Sequence, residues 1–359
     1  MFAGRMRLGM VLAVVVPLVG TLGGNAAQAA LSFSAAPGWS SSQVWSGSNA
    51  SHFAVGDDGF YLYGAEQVGT DVGGNPLHQN VVRHFDGVNT VEVARSPSFS
   101  GSSYSPDAIT VVNGEVYWAH VQSFSLGGSA NVYKSSFDGT NWLTSRVLDE
   151  SFGANIFSLS TDGNHVYGTG AAPSGDNVAF LFDNAGDYTV LADLGGASGG
   201  AGFDPEGNLY AGLYDFVDGS AVKKYSASQL ADRVSGAQAT PYDASDALGS
   251  FLVPGTGSPV MESDGANLFG AEFDVTFTNS SPYAFDLLTN TSQSLGTLSG
   301  ALLNNLTTDV YARDGNVYFM GRDGFGPFGD AAIFQLVPEP ATFALLLCGG
   351  GLVLARRRG

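Results

Sequence analysis

The chain has 359 residues, 33 of them acidic and 14 basic, a net charge of −19 and one cysteine, Cys348. So acidic a surface repels nucleic acid and anionic lipid, so no nucleic-acid partner is expected. A single thiol placed near the C-terminus excludes a disulfide, a Cys-ligated metal and a thiol nucleophile in residues 30–337, and stability there must come from a core that this length is sufficient to bury.

The chain opens with MFAGRMRLGMVLAVVVPLVGTLGGNAAQAA. Arg5 and Arg7 form a basic start, residues 10–22 an apolar run, and Ala27-Gln28-Ala29 an A-x-A site for signal peptidase, so residues 1–29 read as a secretory signal peptide. The alternative is an uncleaved N-terminal anchor. Export across the inner membrane is expected to leave a mature chain that begins near Ala30.

From residue 30 to 337 one short pattern recurs six times: VGDDGFYLYGAE from Val55, VVNGEVYWAH from Val111, STDGNHVYGTG from Ser160, FDPEGNLYAGLY from Phe203, ESDGANLFGAEF from Glu262 and ARDGNVYFMG from Ala312. Each copy is a turn with glycine followed by an apolar-aromatic strand, which is a hairpin signal because glycine accepts the positive φ of a tight turn. Most copies are followed by a second hairpin, as in VVRHFDGVNTVEVA from Val81; after the copy at Phe203 this place holds the less regular VKKYSASQLADRV from Val222. Two hairpins per repeat make a four-stranded antiparallel sheet. Gly59 to Gly315 spans five intervals with a mean period of about 51 residues, close to the size of a propeller blade. The body is therefore expected to be all-β, a six-bladed β-propeller without a helix of normal length; a β-sandwich or β-solenoid is the alternative. The last copy offers only a third strand, AAIFQLV, before Pro338, so LSFSAAPGWSSSQVW from Leu31 is expected to supply the missing fourth and close the ring.

The chain ends in VPEPATFALLLCGGGLVLARRRG. Residues 341–355 span about 22 Å as a helix, short against roughly 30 Å of hydrocarbon, and Gly349-Gly350-Gly351 weakens that helix halfway. Arg356, Arg357 and Arg358 would stay cytoplasmic and stop translocation. Pro338-Glu339-Pro340, a short transmembrane helix and a terminal arginine cluster, in that order and opposite a signal peptide, resemble the PEP-CTERM sorting signal of Gram-negative, exopolysaccharide-producing bacteria. The resemblance covers residues 337–359. It implies recognition of Pro338, Glu339 and Pro340 by a membrane-embedded exosortase, transient membrane insertion and removal of the tail, with release to the cell surface or the extracellular matrix. Such families are associated with exopolysaccharide and biofilm. The alternative is an ordinary single-pass anchor.

Between these ends no catalytic constellation is visible. Histidines 52, 78, 84, 120 and 165 show no metal-ligand spacing, and no catalytic or metal residue is assigned. Asp57, Asp58, Asp162, Asp204, Glu206, Asp264 and Asp314 lie at the repeat turns, where hairpin chemistry accounts for them; weak binding of divalent cations by the acidic surface is the one cofactor reading they leave. Trp39, Trp45, Trp118 and Trp142 either stack on sugars or fill the space between blades. The Gly-rich run from Leu194 to Gly202 lacks the lysine and helix of a phosphate loop, and no nucleophile elbow is recognised. The expected function is that of a non-enzymatic binding or structural module, with a secreted propeller enzyme acting on glycans or lactones as the alternative.

Overall fold

The computed structural model describes residues 31–100, 105–121, 130–148, 156–172, 176–182, 187–215, 219–254, 261–274, 279–301, 303–324 and 328–339. Two strands, β1 (Ser32–Ala35) and β2 (Trp39–Ser48), precede the first repeat. The first blade is β3 (His52–Gly56), β4 (Gly59–Thr70), β5 (Pro76–Phe85) and β6 (Thr90–Arg95), with β7 (Phe99–Ser100) added beside β5. The second is β8 (Ser105–Val112), β9 (Glu115–Val121), β10 (Ala130–Phe137) and β11 (Trp142–Leu148). β12 (Ser158–Thr161), β13 (Val166–Ala171), β14 (Asn177–Phe182) and β15 (Tyr188–Asp193) make the third. In the fourth, β16 (Ala197–Phe203), β17 (Leu209–Asp215) and β18 (Gly219–Tyr225) are followed by a helix, α1 (Ala227–Ser235), before β19 (Gly249–Leu252). The fifth holds β20 (Glu262–Ser263), β21 (Asn267–Phe273), β22 (Ser280–Asp286) and β23 (Thr291–Ser294), and β24 (Gly296–Ser299) leads out of it.

The sixth blade is β25 (Asn305–Arg313), β26 (Asn316–Asp323) and β27 (Asp330–Pro338), and its fourth strand is β2 from the other end of the chain. The pairing runs from Trp39 opposite Pro338 to Ser48 opposite Asp330. Closure from the N-terminal side is thus as the missing strand foretold, and it ties the two ends of the body into one sheet. β1 does not join that sheet; it pairs with β24, Phe33 opposite Leu298, and Phe33 packs edge-on against Phe319 at 4.6 Å. The first strands of successive blades touch around the ring from β3 through β8, β12, β16, β20 and β25 back to β3, giving a six-bladed β-propeller.

Local chemistry explains the hairpins. Asn113-Gly114 and Asp314-Gly315 are two-residue turns in which both residues take positive φ, the geometry that matches strand twist and that Asn or Asp followed by Gly accepts best. Longer turns use their aspartates differently. Asp162 Oδ1 accepts from the Asn164 and His165 amides at 2.8 Å each, Asp264 Oδ1 from Ala266 and Asn267, and Asp204 Oδ1 from Glu206 and Asn208. These three carboxylates cap their own backbone, as the hairpin reading had it, whereas Asp57 pairs with Arg313 and Asp58 with the Tyr61 hydroxyl.

The helix corrects the expectation that the body has none of ordinary length. Ser226 caps α1 and Gln229 reaches back to the Ser226 amide, Tyr225 before the cap and Leu230 in the first turn share one apolar cluster, and Gly236 ends the helix at φ +80°. Ser-x-x-Gln between two apolar residues is a helix start signal that was present in VKKYSASQLADRV.

Candidate functional site

Where β25 meets β3 the last blade adjoins the first, and buried polar groups gather there. Asp309, wholly buried on β25, accepts from the Phe53 amide at 2.7 Å through Oδ2, and its Oδ1 lies 3.1 Å from His52 Nδ1. Arg322 of β26 and the Thr308 hydroxyl both donate to the Ser51 carbonyl at 3.3 Å. Burial pulls the Arg322 guanidinium down to about 10, with the Asp309 charge opposing, so it stays charged at neutral pH. On the same seam Arg313 donates to the Val55 carbonyl at 3.2 Å and pairs with Asp57.

Glu262 is the second titratable feature of the inner ring. It stands on β20, half-buried, where its carboxyl is desolvated. That desolvation pushes its pKa up to about 8, against the pull of Arg313. A carboxyl poised there can hold or give a proton near neutral pH.

The remaining histidines do not converge with these. His84 stacks on Tyr61 at 4.6 Å and lies 3.5 Å from Asp58; His165 pairs with Asp162; His78 sits between Phe99 and Phe328. His120 is buried beside Trp118 and Tyr133, and desolvation lowers its pKa to about 4. Among the described residues no three His, Cys, Asp or Glu side chains group as a metal site would need.

The tryptophans pack between blades. Trp118 is fully buried, stacked on Tyr133 at 4.4 Å and 5.7 Å from Tyr63, while Trp45 and Trp142 flank the same cluster and Trp39 flanks the one beneath β1. The Gly-rich run becomes the inner strand β16, where a Cβ on Gly202 would fall 1.3 Å from the Met261 carbonyl oxygen, so glycine is what lets two blades approach. Residues 196–200, Gly-Ala-Ser-Gly-Gly, do spell G-x-S-x-G, which the sequence reading passed over; they enter β16, with no turn into a helix, and so do not make a nucleophile elbow.

Of the sorting residues, Pro338 ends β27 and the Glu339 amide donates to the Gly38 carbonyl at 2.9 Å. Pro340, Arg356, Arg357, Arg358, Ala27 and Ala29 lie outside the described residues. Among the described residues a cavity of about 400 Å³ lies between the fourth and fifth blades against Val253, Phe285 and Ser292, and none of the seam groups lines it.

No protein-family model and no curated protein matches this sequence. In three dimensions the chain is similar to a protein of unknown function from Dyadobacter fermentans, at 10% identity and a TM-score of 0.55, covering 85% of this chain and 100% of that one. That likeness concerns the fold alone. A putative gluconolactonase (12% identity, TM-score 0.46, covering 86% of this chain and 98% of that one) and TolB from Acinetobacter baumannii (14%, 0.45, 77% and 64%) match more loosely, and nothing is argued from them.

Proposed function

We propose that the chain is an exported, non-catalytic β-propeller, sorted and processed at Pro338-Glu339-Pro340 by an exosortase, which then serves as a binding or structural module at the cell surface or in an exopolysaccharide matrix. The observation that carries this reading is the order of motif, apolar segment and Arg356-Arg357-Arg358 at one end with a signal peptide at the other. The chemistry of the body is consistent with it. The buried His52, Asp309 and Arg322 are spent on joining blades, and a site that must release product keeps such groups turned toward a cavity.

Intact mass and C-terminal peptide mapping of the protein from its native host test it, beside a variant with Pro338, Glu339 and Pro340 changed to alanine. A wild type that ends near residue 338 in the medium or matrix, with a variant that stays membrane-bound, supports the reading; tails retained on both sink it. A second reading, a secreted enzyme acting on glycans or lactones, draws on Glu262, whose carboxyl can exchange a proton near neutrality. It predicts hydrolysis of such substrates by the purified body that Glu262→Gln abolishes while its melting temperature holds.

A further inference from the structure

Pro338 and Glu339 are at once the start of the sorting motif and the end of the closing sheet. Pro338 faces Trp39 in the β2–β27 pairing, the Glu339 amide donates to Gly38 O at 2.9 Å, and Ser40 Oγ donates to Val337 O at 3.4 Å. The acceptor is itself held in place: Gly38 takes φ +89° in a turn closed by the Trp39 amide on Ala36 O at 3.1 Å, and the Ala36 amide donates to Leu295 O at 2.9 Å. One residue before Val337, Leu336 is fully buried. Fraying that leaves the core intact can therefore free residues 337–339 and nothing further upstream.

An enzyme that binds a peptide as an extended strand needs the backbone groups that Gly38 and Trp39 already occupy. Distance tightens the constraint. Only Glu339 and Pro340 separate the paired Pro338 from the apolar run that begins at Ala341, and two extended residues reach about 7 Å. The Asp314-Gly315 turn lies at this same end of the sheet, so a membrane-inserted tail would hold that turn close to the headgroups.

We propose that closure of the ring masks the sorting motif, so that removal of the tail competes with the pairing of β2 on β27 and proceeds on chains in which that pair is open. The proposal rests on the exosortase reading of the tail. It assigns the closing strand a second task beyond stability: it sets which chains are processed.

The test is pulse-labelling of the full chain in its native host, comparing the wild type with a variant carrying Gly-Ser-Gly-Ser between Val337 and Pro338, and with Gly38→Pro, whose fixed φ cannot adopt the Gly38 turn. Each leaves the motif intact. Loss of one hydrogen bond corresponds to about fivefold in the open population, so tail removal at least about fivefold faster in both variants is expected. Equal or slower removal overturns the proposal. Amide exchange at Glu339 in the purified full chain gives a readout free of the enzyme: exchange slowed at least about fivefold relative to the insertion variant is expected, and equal exchange overturns the masking. Failure of the underlying reading looks different, because then neither the wild type nor the triple-alanine variant loses its arginines.

Discussion

Two seams of the same ring share aromatic packing and differ in their buried polar groups. Between the first and second blades, sequence neighbours meet through aromatic rings, with Tyr63 against Trp118 and Tyr61 against Trp142 at 6.1 Å; the Tyr63 hydroxyl donates to Ala119 O at 2.9 Å. Between the sixth and first blades rings meet as well, Phe53 with Tyr311 at 5.0 Å and Phe60 with Tyr318 at 5.5 Å, but residues more than 250 positions apart also meet through Asp309, His52, Thr308 and Arg322. Apolar packing is non-directional and tolerates sliding, whereas a carboxylate that must meet one amide and one ring nitrogen fixes register. The seam that joins the distant ends is therefore the one that adds a buried carboxylate and a buried guanidinium to its packing. Chain connectivity already restricts how the first two blades can meet.

The largest effect should come from removing the strand that makes the second seam necessary. Deletion of residues 39–48 strips β27 of its partner and leaves a row of backbone groups and the apolar side of the last blade uncovered. Loss of the cooperative thermal transition of the whole body, followed by circular dichroism, is the expected result. Survival of a single transition at an unchanged temperature would show that the ring closes without β2.

Asp309→Ala probes the directional bonds themselves. It leaves the buried Phe53 amide and His52 Nδ1 without their carboxylate partner, and losing hydrogen bonds to a buried charged group costs about 1.5–3 kcal/mol. Asp309→Asn keeps an acceptor for the Phe53 amide and removes only the charge, so it should cost less. Denaturant melts of the two variants separate bond from charge; equal losses would mean that charge alone matters at this seam.

Protonation sharpens the comparison at Glu262, which lies near Arg313 at the turn end of the closing seam. Its folded pKa is raised from 4.5 to about 8, so the unfolded chain gives up this proton more readily. The stability it confers is fully present below about pH 4.5 and is lost as pH rises toward 8, with a slope of at most about 1.4 kcal/mol per pH unit. Glu262→Gln should flatten that part of the curve, and an unaltered pH profile would contradict the assignment.

How much of this was legible before folding differs along the chain. The blades were, because each turn carries a local signature such as Asn113-Gly114 or Asp314-Gly315, and a repeat multiplies it. The closing strand was legible as a deficit, one strand too few after AAIFQLV. α1 was overlooked although Ser226 and Gln229 spell its start, since nine residues inside a strand-rich body show little period. The pairing of β1 with β24 and the grouping of His52 with Asp309 were illegible, for neither leaves a local pattern. The one hint was an aspartate amid Leu306, Val310 and Tyr311, a charge in an apolar strand that burial permits only with partners.

The smallest effect tests the aromatic seam for what it lacks. Asn80 on β5 shares a face with Tyr63 and Val82 and is fully buried; its backbone amide donates to Ser96 Oγ at 2.9 Å, but among the described residues neither its side-chain N nor its O meets a donor or acceptor. Asn131 on β10, on the face of Trp118 and Tyr133, likewise has a buried Oδ1 with no protein partner. A buried amide that makes no bonds costs stability, and leucine has nearly its shape. Asn80→Leu should therefore leave stability within about 1 kcal/mol of the wild type or raise it, whereas the same kind of replacement at Asp309 strips the Phe53 amide and His52 of their partner and should cost more. A loss of about 2 kcal/mol or more would show that Asn80 is bonded through ordered water, and that this seam too carries directional polar contacts.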